Sequence, residues 1–376
     1  MEQQARIRCT IMRGGTSKAV FVLKNALPKD PIVRDRVILA IFGSPDVRQI
    51  DGLGGADPLT SKLAIIGPPS RSDADVDYTF GQVEINIAKV DYTGNCGNIS
   101  SAVGPFAIDE GFVDAREPIT KVRIHNTNTG KIIIAEVPTS AGKAAVNGNY
   151  HIDGVPNSGA KIAMEWTGSV GAATGELLPT GKVRDVVEGV NRKIEVSIID
   201  AGNASLFVKA SDVGLEGTEK PSEFDSKTET IEQLERICEN ARKLCPALKS
   251  KSSIYFVSKP LTYTNFATQE KINSKEIDLI SRNLFHGVMH KAYPGTGTVS
   301  TSIAAKLPGT VVYDLVPKDA RARNLLRIGH PSGIIEVETI IEQKGQEFTV
   351  KRVSFGRTAR RIMDGYVYVP LTFFAP

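Results

Sequence analysis

The chain has 376 residues, a net charge of +4, 41% hydrophobic and 23% charged side chains. That length outgrows a single core, and the composition is that of a globular protein. It shows no basic stripe with interleaved aromatics for nucleic acid, no apolar run near the ~20 residues of a membrane span, and no signal-peptide pattern at Met1-Glu2-Gln3-Gln4. Four cysteines without regular spacing point to free thiols and a cytoplasmic location, and the slight excess of Lys and Arg suits a small anionic substrate.

In chain order, a strand begins at Ile7 to Thr10, breaks at Arg13-Gly14-Gly15-Thr16-Ser17 and resumes at Ala19 to Val22. A double glycine between strand pieces predicts a tight turn or bulge that lifts Thr16 and Ser17 out of the ladder, with hydroxyls and amides available to a ligand. Asp30-Pro31 predicts a helix start, with Asp as cap and Pro at the first position. Ile32, Val33, Val37, Ile38 and Ile41 form its apolar face, and Gly43 to Pro45 end it. The run DGLGGADPLTSK at 51–62 is neither a dinucleotide fingerprint nor a P-loop: Asp57 stands where a third glycine belongs, and Lys62 lacks the flanking Gly and Ser/Thr. Lys62 instead heads a short apolar strand, Leu63 to Ile66. Desolvated there, it becomes a candidate base, whereas a solvent-facing lysine would be inert.

The alternating segment Val83 to Val90 reads as a strand. It leads through Thr93-Gly94-Asn95-Cys96-Gly97-Asn98 into a buried helix over Ala102 to Gly111. Cys96 therefore sits where a strand turns into a helix, beside amides that lack partners and carry partial positive charge. A thiol there is biased toward thiolate, and a carboxylate or enolate finds donors at Gly97 and Asn98. The competing reading is an inert cysteine in a tight turn. Val122 to His125 and Ile132 to Val137 read as a hairpin, and Lys161 to Trp166 as a strand. The Gly-rich run 168–181 reads as a hinge between domains.

The second half opens like the first: strand (Lys193 to Ile199), glycine-containing break (Asp200 to Ala204), strand (Ser205 to Val208). A helix over Thr228 to Leu244 carries Cys238 and, with Cys245, one apolar stripe that makes both cysteines core residues. A second helix is expected over Ser274 to Phe285. Tyr293 to Ala305 then repeats Tyr-x-Gly before a Ser- and Ala-rich helix. Thr296, Gly297, Thr298 and Ser300 are thereby candidate substrate-binding residues at a second helix start. Aligning the tyrosines gives an offset of 293 − 92 = 201; aligning Cys96-Gly97-Asn98 with Pro294-Gly295-Thr296 gives 198. The sequence leaves both registers open. The tail predicts a turn at Gly329 to Gly333, strands over Ile334 to Ile341 and Glu347 to Phe355, and a last strand at Tyr366 to Val369. Arg357, Arg360 and Arg361 are either carboxylate clamps or structural ion pairs.

Two similar halves, each with mixed strands around one buried helix, suggest a pseudo-symmetric α/β (α+β) protein. The expected domains are 1–184 and 185–376, with the last strand, 366–376, returning to the first. The expected site is a cleft between them, suited to a small anion.

Several strings carry a resemblance. TSKAVFV at 16–22, TSKLAIIG at 60–67, DYTFGQV at 77–83, VDYTGNCGNISSAVGPFAIDEG at 90–111, HNTNTGK at 125–131 and RTARRIM at 357–363 resemble the methylaconitate isomerase and methylitaconate isomerase family. The resemblance covers nearly the whole chain. It implies the diaminopimelate-epimerase fold and a cofactor-free isomerase of unsaturated di- or tricarboxylates. It further implies Lys62 and Cys96 as the catalytic pair, with Ser17 lining the substrate site. Amino-acid epimerases of that fold use one cysteine per half, whereas this chain has Pro294 or Gly297 at the second position, which disfavours two-thiol racemisation. No metal is expected: there are five histidines, and His286 and His290, four apart, lack the Glu of a zinc-protease helix. An amino-acid racemase using Lys62 against Cys96, and a non-catalytic accessory protein of a carboxylate pathway, stand as the alternatives. A homodimer or homotetramer is compatible with the sequence.

Overall fold

The computed structural model describes residues 3–190, 192–248, 254–345 and 347–375. Met1 and Glu2 of the opening segment and Pro376 of the expected last strand lie outside the described residues. The chain forms two compact units. The first comprises Met1–His151, Asn157–Met164 and Arg357–Pro376; the second comprises Ile152–Pro156 and Glu165–Gly356. Among the described residues no helix is long and apolar enough to cross a membrane.

In the first unit, β1 (Gln4–Gly14) and β2 (Ser17–Leu23) form an antiparallel hairpin. Gly14 pairs with Ser17, so the turn is Gly15-Thr16 alone, with Gly15 at φ +51°. Ser17 is therefore in the ladder, not lifted from it: two residues suffice to reverse the chain when one is a glycine at positive φ. Helix α1 (Pro31–Phe42) starts as expected, Asp30 accepting from the amides of Ile32 and Val33, and Gly43 ends it in the left-handed region. Strand β3 (Lys62–Gly67) runs parallel to β2, and β4 (Val76–Val83) runs antiparallel to β3. The expected strand over Val83 to Val90 is not formed. Its Ile87 is 56% exposed, Glu84 closes onto Lys89, and only Val90–Asp91 rejoins the ladder. Alternation without a face to bury holds no strand. Helix α2 (Gly97–Asp109) starts five residues earlier than the apolar run suggests, with Cys96 as its cap and every residue from Gly97 to Ile108 buried. Strand β5 (Ile119–Asn126) lies parallel to β4 and pairs antiparallel with β6 (Lys131–Ser140). The C-terminal strand, Ala359–Pro370, pairs antiparallel with β1 and is longer than the expected Tyr366 to Val369. Helix α2 packs against β1, β2, β5, β6 and this strand, so the sheet wraps it.

The second unit repeats that order of pairings. Strands β7 (Lys193–Ala201) and β8 (Asn203–Lys209) are antiparallel about Gly202, φ +76°. Helix α3 (Thr228–Arg242) buries Leu234, Ile237, Cys238 and Ala241. Cys238 and Cys245 are core thiols, as expected, whereas Leu244 is exposed and leaves the stripe. Strand β9 (Ile254–Ser258) is parallel to β8; β10 (Leu279–Phe285) is antiparallel to β9. The expected helix over Ser274 to Phe285 is thus a single 3-10 turn at Ser274–Glu276 followed by a strand. Because β10 is buried on both faces, it shows no period-2 signal and its apolar spacing imitates a helix. Buried helix α4 (Gly295–Ala304) follows. Strand β11 (Leu325–His330), not anticipated from the sequence, is parallel to β10, and β12 (Gly333–Lys344) is antiparallel to β11. Cys96 caps α2 and Pro294 caps α4, so the structural offset is 294 − 96 = 198, and the register built on the tyrosines is the wrong one.

Candidate active site

In the first unit, the parallel join of β2 to β3 buries the head of β3. Lys62 is 3% exposed. Its Nζ donates to Gln82 Oε1 at 2.6 Å and lies 5.4 Å from the centroid of the Phe80 ring. Gln82 stands opposite it in the ladder, and its own Nε2 donates to the carbonyls of Ser61 (2.9 Å) and Pro58 (3.2 Å). The amide is thereby oriented with its oxygen toward the amine. Tyr78, Phe80 and Gln82 alternate along β4 and share one face. Tyr78 is fully buried; burial first, and then the proximity of Cys96, push its phenol well up against the opposing hydrogen bond with Ser100. One face of β4 thus holds Lys62 at one end and, through Tyr78, reaches Ser100 in the first turn of α2 at the other.

Cys96 is half-buried. Its carbonyl accepts from Ser100 N (2.9 Å) and Ser100 Oγ (3.0 Å), so the amides that precede Ser100, those of Gly97 and Ile99 among them, stand at the open start of α2. The hairpin turn sits against this helix start. A Cβ on Gly14 would lie 2.5 Å from the Asn98 carbonyl oxygen, and one on Gly15 2.2 Å from Asn98 Oδ1. The double glycine serves this close approach. Asn98, 1% exposed, donates through Nδ2 to Thr16 Oγ1 at 3.1 Å. Its Oδ1 accepts from Arg357 Nε at 3.1 Å. Ser17 is 3% exposed, and its Oγ has no hydrogen-bond partner, as an atom awaiting a ligand would be. Burial pulls the Arg357 guanidinium down to about 10, against the opposing pull of Tyr150 and Cys96.

The structure therefore brings Thr16, Ser17, Lys62, Cys96, Gly97 and Asn98 into one unit. Thr296, Gly297, Thr298 and Ser300 belong to the other. There Asn203 Nδ2 donates to Thr296 Oγ1 at 3.2 Å, and Gly202 lets the hairpin approach Thr296. Gly297 faces the Tyr255 ring, where a Cβ would come within 2.6 Å. Thr298 turns both its amide and its hydroxyl onto the Pro294 carbonyl, and Ser300 Oγ reaches Ser205 Oγ at 2.9 Å. These two hydroxyls serve the helix interior. Among the described residues no group of three His, Cys, Asp or Glu side chains could hold a metal. His286 and His290 are not on a helix: β10 ends at Phe285, and a two-residue strand, Val288–Met289, stands between them.

Sequence reasoning missed Gln82 and Asn128 and left Arg357 undecided. Asn128 Nδ2 donates to the carbonyls of Phe80 (2.8 Å) and Tyr92 (2.7 Å), so the Asn-Thr-Asn-Thr-Gly turn ties β4 to the segment carrying Cys96. Of the arginine cluster, Arg361 is a structural ion-pair residue with Glu110 (2.9 Å) and Asp364 (2.7 Å), while Arg357 turns inward to α2. A buried guanidinium beside a helix start is visible only once the chain ends are brought together.

The profile of the PrpF protein family matches residues 4–370. The chain is 51% identical to a 3-methylitaconate isomerase of Eubacterium barkeri over 98% of both chains. It is 36% identical to a 2-methyl-aconitate isomerase of Shewanella oneidensis, again over 98% of both. A crystal structure of methylitaconate-delta-isomerase superposes with a TM-score of 0.80 at 50% identity, covering 100% of this chain and 98% of that one. A hydroxyproline epimerase from Agrobacterium vitis shares the fold at TM-score 0.59 and 11% identity, over 100% of this chain and 94% of that one.

Proposed function

The chain belongs to the PrpF family and is an isomerase, and from that premise we propose that it shifts the C=C bond of an unsaturated carboxylate, 3-methylitaconate foremost, without a cofactor. Lys62 carries this reading: a primary amine, 3% exposed, held by the neutral amide of Gln82. In the proposed reaction its neutral form removes the proton from the carbon that bears the methyl group, next to a carboxylate and allylic to the methylene. The electron pair moves into that carboxylate as a dienolate. The proton returns at the methylene carbon, from Lys62 or from Cys96; the methylene becomes a methyl group and the double bond lies between the two substituted carbons. Atoms and charge balance without an oxidant or a second substrate.

The dienolate is the species that needs donors. The helix-start amide of Gly97, with Asn98 beside it, and the unpartnered Ser17 hydroxyl suit it, and each well-placed donor contributes about 3–4 kcal/mol to such a transition state. Pro294, matched to Cys96 at offset 198, speaks against two-thiol racemisation.

The test is proton NMR in deuterated water with 3-methylitaconate and 2-methylaconitate offered separately to the wild type and to Lys62→Ala. The expected result with 3-methylitaconate is a moved double bond with deuterium in the newly formed methyl group in the wild type, lost in the variant. No exchange on either compound would overturn the isomerisation proposed for them.

A further inference from the structure

We propose that Arg357 is a positioning residue that works through Asn98 to set the Thr16 hydroxyl as a hydrogen-bond donor to a substrate carboxylate. The inference rests on the carboxylate chemistry proposed above.

The reasoning begins with the asymmetry of a side-chain amide. Its two ends have nearly the same shape and opposite hydrogen-bonding character. Arginine has donors only, so Arg357 Nε at 3.1 Å accepts just one orientation of Asn98, with Oδ1 toward the guanidinium. Nδ2 then faces Thr16, 3.1 Å away, and Thr16 Oγ1 must accept. A hydroxyl that accepts from Asn98 keeps its own proton for another partner. With Asn98 turned over, Thr16 would give that proton to Oδ1. Arg357 therefore decides whether the turn offers a donor or consumes one.

The surrounding backbone holds the parts in step. Gly15 N donates to the Thr358 carbonyl at 3.0 Å, and Arg13 Nη1 donates to the carbonyls of Gly15 (3.0 Å) and Thr358 (2.8 Å). The residue after Arg357 is thus bonded directly to the turn that carries Thr16. Asn98 is 1% exposed and Arg357 4% exposed, so neither swings into solvent without unfolding its surroundings, whereas Thr16 is half-buried at the apex of the turn. The second unit reproduces the polarity with the residues exchanged: Asn203 is on the hairpin, Thr296 is on the helix, and the amide again donates to the threonine oxygen. A duplicated hairpin and helix start that keep a threonine as acceptor from asparagine, while swapping which element carries which, indicate that the released proton is the common feature. An acceptor-only ligand, a carboxylate, is its fitting partner.

The experiment measures binding of 2,3-dimethylsuccinate, a saturated dicarboxylate with no allylic proton, by calorimetry. The proteins are wild type, Thr16→Val, Asn98→Asp, Arg357→Met and the doubles of the latter two with Thr16→Val. KM and kcat on 3-methylitaconate are measured in parallel. A hydrogen bond to a charged group predicts about 10-fold weaker binding for Thr16→Val. Asn98→Asp, isosteric and able to take the Thr16 proton, is expected to weaken binding similarly, and Arg357→Met by about 5-fold. Both effects are expected to vanish in the Thr16→Val background, the signature of action through one hydroxyl. KM should rise with the same pattern, and for Thr16→Val and Arg357→Met the rise in KM should exceed any fall in kcat. Equal losses in both backgrounds, wild-type binding by Thr16→Val, or no binding by the wild type would overturn the proposal. If Arg357→Met does not fold, the Asn98→Asp cycle decides alone. Binding without turnover would refute the proposed reaction yet still judge the relay.

Discussion

Replacing Gln82 by Glu changes one atom of the group that holds Lys62 and tests whether the protonation of that amine governs the rate. Gln82 Oε1 lies 2.6 Å from Lys62 Nζ. A carboxylate there attracts an ammonium by about 6 kcal/mol at an effective dielectric of about 20. The new oxygen also replaces an Nε2 that donates to Ser61 and Pro58. Losing those two bonds and setting oxygen against two carbonyls costs stability equally in both protonation states of Lys62. The attraction therefore acts in full on the amine and corresponds to about 4 pH units in favour of the ammonium. On the proposed mechanism Gln82→Glu therefore loses at least about 1000-fold in kcat/KM near neutral pH, and the rising limb of its pH profile moves alkaline by several pH units. The assay is kcat/KM on 3-methylitaconate across the pH range where the circular dichroism of the variant matches wild type. A pH-independent loss, or an unmoved profile, would refute the assignment of Lys62 as the base.

Cys96→Ser separates the two routes for returning the proton: loss of several orders of magnitude in kcat identifies Cys96 as the acid, and retention of substantial activity assigns the return to Lys62, read by single-turnover kinetics in deuterated water. Gly15→Ala places a Cβ 2.2 Å from Asn98 Oδ1 on a residue at φ +51°. It is expected to cost about 2–4 kcal/mol in urea unfolding and to abolish carboxylate binding. Burial works to raise the Asp278 carboxyl, but hydrogen bonds from Arg327 and the charges of Arg327 and Arg323 outweigh it and hold the group below its ordinary 3.8. A depressed carboxylate stabilises fully above its unfolded value and loses that contribution as pH falls through its folded one. Urea midpoints below about pH 4 should therefore fall more steeply in wild type than in Asp278→Asn.

Local chemistry in the sequence determined much of this protein. Asp30-Pro31 start α1, because the cap and the fixed φ of proline need no distant partner. Cys96 stands at a helix start, Lys62 heads a buried strand, and the repeated glycine-broken hairpins announce the duplication. Near-neighbour order also carries the cysteine stripe of α3. What the sequence could not determine depended on which faces become buried. The β10 segment reads as a helix because burial on both sides erases alternation, and residues 83–90 read as a strand because alternation does not reveal whether there is a face to bury. The register between the halves needed the helix caps themselves. Gln82, Asn128 and Arg357 became visible as parts of the site only in three dimensions. Gln82 meets Lys62 across 20 residues and Arg357 meets Asn98 across 259. Hydrogen-bond partners at such separations are chosen by strand register and by the return of the chain end to β1, which no local pattern encodes. Tertiary structure decided those contacts because a buried polar atom must find its partner wherever the fold brings one.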